Sequence, residues 1–272
     1  FEGPLRVQKL FYPEKPAPGE VETCHLYLLH PPGGLVSGDL LEHDLRLTEG
    51  ARAVVTTPAA AKIYRARDEL SVQAIKTRVE VDDGSVLEWF PQGTIAFDGA
   101  RASLGQAFDV ALGARALGCD FVALGRGASG ESFSKGAFRQ LTQIFRGPKL
   151  LFHELVNLQG DDELLLSPLG LMGRPVMALF WAVGRPNRAG DAQALTDSLK
   201  TLQSFEDFGP GPYALAQSGS PVFSATSRHG LFLARALTAS LQEAEAFRFR
   251  VWSIIRPRLL GLEPLPPHVW AT

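Results

Sequence analysis

Residues 5–158 consist of short apolar segments separated by turn residues, and this pattern restricts the chain to folds built mainly from strands. Residues 41–47 alternate between apolar and polar side chains, which is typical of a half-buried strand. Residues 72–81 alternate in the same way if the strand slips by one residue near Ala74, as a bulge would allow. Glycine-containing turns separate these segments and leave no room for the helices of about 10–15 residues that βαβ units need. The pattern therefore predicts an all-β architecture.

A weak internal repeat suggests how these strands are arranged. Gly50, Gly84 and Gly113 each precede a small residue at the start of a strand-like segment and are 34 and 29 residues apart. Periods of this size are typical of stacked coils, in which each coil buries its face against its neighbours. A meander of hairpins would reuse the same turns, so the repeat alone leaves both arrangements open.

Helix signals occur only after the strand-rich part. Asp191 is a suitable N-cap for a short amphipathic helix that continues to Leu202. Ser240 and Glu243 match a capping box. Apolar residues then recur at helical spacing until Pro257, which is expected to disturb the helix.

No linker-like composition separates the strand-rich part from the helical part. We therefore expect a single domain over residues 1–272, with a β-rich part at 1–185 and a helix-containing part at 186–272. A chain of this length buries about 73% of its surface on folding, which is enough for one large core.

Composition and charge exclude several classes of protein. Lys and Arg number 27 against 29 Asp and Glu, and a net charge of −2 gives no field that would attract nucleic acid or an anionic membrane. The longest apolar stretch, residues 175–184, is too short to span a bilayer. Two cysteines cannot form a disulfide framework and no leader is visible, so we expect a cytoplasmic protein.

Gly125, Gly127 and Gly130 match the G-x-G-x-x-G pattern of dinucleotide-binding folds. That motif requires a helix that opens directly after it, so that backbone amides face a pyrophosphate. Gly136 lies where such a helix would be established, and the surrounding segments resemble hairpin strands. We therefore interpret this segment as a glycine-rich turn.

Cys24, His25, His30 and His43 are candidate ligands for borderline divalent ions. Cys24 and His25 are adjacent and would face opposite sides of a strand. The sequence has no C-x-x-C or H-x-x-x-H pair. A closed structural metal site is therefore not predicted, whereas a weak, transient site that uses one of these side chains stays open.

Signals for covalent catalysis are missing. No G-x-S-x-G elbow surrounds Ser129 or Ser220, and the six histidines are scattered. One enzymatic hypothesis remains, in which Glu88 and Asp98 meet across a hairpin and act as an acid–base pair on a polysaccharide.

Three carboxylates lie inside apolar segments, at Glu88, Asp120 and Glu154. Burying a carboxylate costs several kcal/mol unless it is paired or hydrogen-bonded. Each side chain could point outwards or meet an arginine such as Arg126. Alternatively, the carboxylates could line a hydrated interior that passes a cation, because loosely arranged oxygen ligands hold a divalent ion weakly.

Four segments, at residues 30–39, 56–65, 87–100 and 124–131, together resemble the urease accessory protein UreD family, called UreH in some organisms. The last seven residues, 266–272, are similar to the usual ending of that family. The likeness covers nearly the whole chain.

The resemblance implies a non-catalytic factor for urease maturation. Such proteins form a complex with UreF and the GTPase UreG, dock on apo-urease and help to deliver nickel. The implied fold is mainly β, with stacked, β-helix-like many-stranded sheets and a few α-helices in the C-terminal half. We expect no tightly bound cofactor, transient binding of nickel(II), and hetero-oligomer formation with UreF. A purely structural adaptor without a metal path is the alternative.

The resemblance also nominates site residues. Asp39, which closes the 30–39 motif, is the first candidate on a nickel route. The weaker candidates are Glu88, Asp98, Asp120, Glu154 and His30. Trp252 in the C-terminal helix and Trp270 in the tail are candidate partner contacts, and Arg126 and Glu131 are expected to form a structural ion pair.

Overall fold

The computed structural model describes residues 3–16, 21–68, 71–184 and 222–271. Within these ranges the strands are β1 (Arg6–Val7), β2 (Thr23–Leu29), β3 (Leu40–Leu47), β4 (Arg52–Thr56), β5 (Ala61–Ile63), β6 (Gln73–Val81), β7 (Val86–Phe90), β8 (Thr94–Ala96), β9 (Arg101–Val110), β10 (Arg115–Arg126), β11 (Glu131–Ser132), β12 (Ala137–Arg146), β13 (Lys149–Gln159), β14 (Val176–Val183), β15 (Val222–Arg228) and β16 (Leu231–Thr238). Helix α1 spans Leu241–Leu260. The helix predicted after Asp191 lies outside the described residues.

The strands form two stacked sheets. The larger sheet has the order β1-β2-β4-β7-β10-β14-β16-β15, with β5, β8 and β11 joined to it, and the smaller sheet has the order β3-β6-β9-β12-β13. β2, β4, β7 and β10 are parallel neighbours, as are β3, β6, β9 and β12. The chain changes sheet after almost every long strand of this part, so it winds as a stack of coils. The predicted mainly β, β-helix-like fold is confirmed, with one α-helix in the described ranges.

The glycine repeat marks corresponding turns of successive coils. Gly50, Gly84 and Gly113 precede β4, β7 and β10, and β7 pairs in parallel with both of the other strands. The amide of Gly84 donates to the carbonyl of Gly113 over 3.3 Å. Gly84 has φ 75°, a conformation that glycine adopts without the steric cost of a Cβ. The repeat therefore reflects stacked coils and not a meander of hairpins.

Strand β6 differs from its prediction. It pairs residue for residue with β3 and β9 and contains no slip. Its inward face includes the polar residues Gln73 and Thr77, both buried. The Gln73 amide donates to the carbonyl of Tyr64 over 2.8 Å and accepts from the amide of Arg101 over 3.0 Å. Hydrogen bonding thus allows polar residues at positions where hydrophobic alternation predicted apolar ones.

Helix α1 begins at the predicted capping box. The Ser240 hydroxyl accepts from the amide of Glu243 over 3.2 Å, and the Glu243 carboxylate accepts from the amide of Ala239 over 2.9 Å. The helix continues through Pro257 and ends at Gly261, whose amide donates to the carbonyl of Pro257 over 2.9 Å. The expected disturbance does not end the helix, because a proline in its last turn removes only one hydrogen bond and buried apolar side chains hold that turn.

The core has two layers. Between the sheets, the rings of Phe108 and Trp181 are 4.5 Å apart. Between the larger sheet and α1, Phe90 packs against Phe180 and Trp252, with ring centroids 6.0 and 6.3 Å away. Side chains of β10 alternate between the two layers, so its even-numbered residues face the smaller sheet.

Candidate functional site

A row of polar side chains crosses the inner face of the smaller sheet at a single register. The row consists, in strand order, of His43, Thr77, Gln106, Thr142 and Glu154, each the cross-strand partner of the next. Neighbouring strands lie about 4.8 Å apart, so the row is about 19 Å long and follows the direction in which the coils stack. We call this row the polar ladder.

Asp120 faces the polar ladder from strand β10 of the larger sheet. Its side chain is 7% exposed. The Gln106 amide donates to Asp120 Oδ2 over 2.6 Å, and the Gln140 amide donates to the same oxygen. No arginine or lysine of the described ranges forms an ion pair with this carboxylate.

Burial raises the pKa of Asp120 to about 6, although the hydrogen bonds from Gln106 and Gln140 act in the opposite direction. At pH 7 the group is therefore mainly ionised while surrounded by neutral partners. An ionised carboxylate in such a site attracts a cation from outside the chain.

Two cavities meet at Asp120. The first cavity has a volume of about 200 Å³, and its lining includes His30, His43, Gln106 and Asp120. The second cavity has a volume of about 310 Å³ and is lined by Asp120, Gln140, Glu154, Ser224, Arg235 and apolar residues. Asp120 is the one described residue that contributes to both linings. The first cavity includes the His43 end of the ladder and the second includes the Glu154 end, with Asp120 in both linings.

Two buried polar atoms on this path have no hydrogen-bond partner among the described residues. They are Gln106 Oε1 and Trp89 Nε1, and both side chains line the first cavity. Orphaned buried atoms of this kind commonly mark places where a water molecule or an ion binds. The first cavity is also large enough for several water molecules. Most of its lining is apolar, and of the two orphaned atoms only Gln106 Oε1 can contact a cation, since Trp89 Nε1 can only donate.

The far end of the ladder carries an ion pair. Arg235 donates from Nη2 and Nε to Glu154 Oε1 over 2.7 and 3.0 Å. Glu154 is 29% exposed and Arg235 40%, so solvent reaches this pair. A cation that uses the Glu154 carboxylate has to displace Arg235.

Comparison with known proteins assigns this molecule to a family. A family model described as UreD urease accessory protein matches residues 1–271. The chain belongs to the UreD family. It is 40% identical over 271 residues to the urease accessory protein UreD of Pseudomonas aeruginosa (strain PAO1), which covers 99% of this chain and 87% of that protein.

Two further relatives support the same family assignment. The UreD of Marinobacter nauticus is 37% identical over 270 residues, with coverage of 99% of this chain and 83% of the relative. The UreD of Hahella chejuensis is 36% identical over 274 residues, with coverage of 100% and 83%. The resemblance found in the sequence is confirmed, and membership of this family implies a role in urease maturation.

In this UreD-family chain, Glu88 faces α1 and not the polar ladder. It is 1% exposed. Its carboxylate accepts from Trp252 Nε1 over 2.8 Å and from Arg256 Nε over 3.0 Å. Arg256 also pairs with Glu14 over 2.6 Å. The carboxylate oxygens of Glu88 are thus occupied by a buried network that fastens the helix to the sheet.

Asp39 and Asp98 lie in turns outside both cavities. Asp39 Oδ2 accepts from the amide of Val36 over 2.8 Å. Asp98 Oδ1 accepts from the amides of Ser134 and Lys135 over 2.7 and 2.9 Å. Desolvation acts to raise the pKa of Asp98, but these hydrogen bonds and the charge of Arg65 lower it overall. Both carboxylates stabilise their turns.

Glu88 and Asp98 do not meet across a hairpin. Strands β7 and β8 lie end to end beside β10, with Glu88 opposite Leu117 and Ala96 opposite Leu124. Seven residues of strand correspond to about 23 Å. Glycosidase carboxylates are about 5–9.5 Å apart, so the hypothesis of an acid–base pair is wrong.

Trp252 and Trp270 are buried in the core. They are 1% and 6% exposed, with rings 5.2 Å apart. Trp270 also packs edge-on against Phe90 at 5.4 Å. The tail is therefore anchored to its own chain, and neither ring is accessible to a partner in this structure.

The glycine-rich segment is a turn, as predicted. A short 3₁₀ segment over Gly127–Ser129 ends at Gly130 with φ 71°, and β11 then pairs back onto β10. Arg126 pairs with Glu131 over 2.6 Å, which confirms the expected ion pair. No helix opens here to bind a pyrophosphate.

Closed metal sites and membrane helices are absent from the described part of the chain. No cluster of three or more His, Cys, Asp or Glu side chains there could hold a metal ion. None of its helices has the length and apolarity that crossing a membrane requires. Cys24 and Cys119 are both unpaired.

Sequence reasoning missed the neutral members of the site, namely Thr77, Gln106, Gln140 and Thr142. A signal was present, because His43, Thr77, Gln106 and Thr142 are separated by 34, 29 and 36 residues. This spacing is close to the spacing of the glycine repeat. Polar residues that recur with the coil period at inward positions predict a polar row inside a stack of coils.

Proposed function

We propose that this chain is a non-catalytic urease maturation factor that assembles with UreF and UreG, docks on apo-urease and passes Ni²⁺ through its interior. Membership of the UreD family supports the maturation role. The single observation that supports the internal route is the polar ladder, which faces Asp120 where two cavities meet.

The donors along the ladder suit transfer better than storage. Imidazole binds Ni²⁺ well, whereas carboxylate and amide oxygens are harder ligands that bind it less firmly. Few such donors lie at any one point, so an ion is never enclosed by a complete ligand set. Each step along the route then has a low barrier to release.

Asp120 provides the charge in the middle of the route. Its carboxylate is mainly ionised at pH 7, and no arginine or lysine among the described residues forms an ion pair with it. Gln106 and Gln140 now donate N–H groups to it. If their amides turn over, they present carbonyl oxygens to an ion at Asp120, because an amide carries a donor and an acceptor at one end.

Of the residues nominated from the sequence, His30, Asp120 and Glu154 lie on this route. Asp39, Glu88 and Asp98 are left out of it, since hydrogen bonds or ion pairs already occupy their carboxylates. The unpaired Cys24 and Cys119 fit a reducing compartment, and we propose the cytoplasm.

Co-expression of the Asp120→Asn variant with UreF, UreG and urease tests this proposal. We expect the variant to co-purify with its partners and urease to lose most of its nickel, because an asparagine side chain has the shape of the carboxylate without its charge. The Asp39→Asn variant is the matched control, and we expect it to leave the nickel content unchanged. Full nickel loading with Asp120→Asn would refute the internal route and leave a purely structural adaptor. Failure of the wild-type chain to retain UreF would refute the scaffold role.

A further inference from the structure

His43 ends the polar ladder, and His30 lines the same cavity. His43 is on β3, the outermost strand of the smaller sheet. His30 directly follows β2 in a tight turn, in which the amide of Gly33 donates to the carbonyl of His30 over 2.9 Å. Both side chains line the first cavity and are partly exposed.

The His43 ring is held in place by its neighbour on the ladder. Its Nδ1 lies 3.1 Å from the hydroxyl of Thr77. Fixing one ring nitrogen by a hydrogen bond orients the other nitrogen for metal binding. The two rings are near enough for the charge of one to act on the other.

The other charged groups around the first cavity are few. Asp120 lies at its inner end and the exposed Lys62 on its rim. The ring of His30 forms no hydrogen bond or ion pair with any described residue. Two partly exposed imidazoles and one buried carboxylate in the same lining thus offer donors for a divalent cation.

We infer that His30 and His43 form a two-imidazole site that holds Ni²⁺ at the end of the polar ladder. The inference rests on the proposed function for its choice of metal, since imidazole also binds Zn²⁺ and Cu²⁺. Two protein ligands leave the remaining positions of the ion to solvent. The ion is therefore held weakly enough to move on to Asp120.

Metal binding to the full chain, co-purified with its accessory partner where solubility requires it, tests this site. Ni²⁺ affinity is measured by equilibrium dialysis. Cu²⁺, which binds such sites more tightly, serves as the probe for nitrogen ligands in electron paramagnetic resonance. We expect coupling to two nitrogens in the wild type and a loss of affinity for Ni²⁺ of about tenfold or more in His30→Gln and in His43→Gln.

His153→Gln is the matched control, because His153 is exposed on the outer face of β13. We expect that variant to bind Ni²⁺ as the wild type does. His30→Gln changes a turn residue, so it tests the site even if His43→Gln fails to fold. Unchanged Ni²⁺ affinity in His30→Gln, or coupling to a single nitrogen in the wild type, would overturn the inference.

The same experiment separates this site from the route. Asp120→Asn should still bind metal at the two histidines. If His30→Gln loses this binding while urease matures with full nickel, the site stands and the internal delivery route falls.

Discussion

A carboxylate buried without a cationic partner destabilises the folded state when it ionises, and Asp120 is such a group. Its pKa of about 6 lies above the ordinary value for aspartate. The folded chain therefore loses stability as pH rises from about 4 through 6. The proposed route requires this cost, because only the ionised form would attract Ni²⁺.

The stability of Asp120→Asn tests this account of the residue. In the metal-free chain we expect the variant to be more stable than wild type at pH 8 by as much as about 3 kcal/mol, which is the linkage value for a shift of this size. The gain should vanish near pH 4, where both side chains are neutral. Urea denaturation at the two pH values measures it.

Other titrating groups near Asp120 do not obscure this comparison. His30, His43, Glu154 and Arg235 line the two cavities, but none of them is a cause of the raised pKa of Asp120, so we expect their contributions to the stability difference to be small. A variant that is less stable than wild type at pH 8 would contradict the account.

At the scale of the elements, the turns between strands hold the coils in register. Gly136 precedes β12 with φ 97°, and a Cβ at this position would collide with the carbonyl oxygen of Ala100. Gly50 precedes β4 with φ 81°, and a Cβ there would meet nothing within 4 Å. Both glycines adopt the left-handed conformation, but only Gly136 also lacks space for a Cβ atom.

Alanine substitution at these two glycines gives a matched pair. We expect Gly50→Ala to cost about 1–2 kcal/mol, the usual penalty for a left-handed non-glycine residue. Gly136→Ala should cost at least about 2 kcal/mol more, because the backbone has to move to avoid the collision. Thermal or urea denaturation measures both values. Equal losses would show that the contact with Ala100 is unimportant.

Local signals predicted several of these elements well. Strand β3 and the capping box of α1 follow from alternation and from residue types at fixed spacing. Strand β6 was misread because Gln73 and Thr77 are polar and still face inwards, and only the partners that satisfy them explain this. Alternation of hydrophobicity cannot reveal a polar inner face.

At the scale of the whole molecule, the glycine repeat was consistent with stacked coils, and Asp120 and Glu154 were nominated from their apolar surroundings, but the polar ladder was not predicted. The polar ladder depends on four strand registers that bring His43 and Glu154 to opposite ends of one row. Asp39 ranked first from the sequence because its motif is distinctive, whereas Asp120 was a weaker candidate, and its inward direction and two glutamine partners are known only from the structure. A distinctive sequence motif, such as the one that ends at Asp39, therefore does not indicate that a residue lies in the interior.

Anomalous diffraction at the nickel absorption edge, from crystals soaked in Ni²⁺, tests the central claim most directly. The account predicts a nickel peak at bonding distance from the Asp120 carboxylate, between the two cavities, and the loss of this peak in Asp120→Asn. Nickel peaks confined to exposed side chains, with none along the polar ladder, would contradict it.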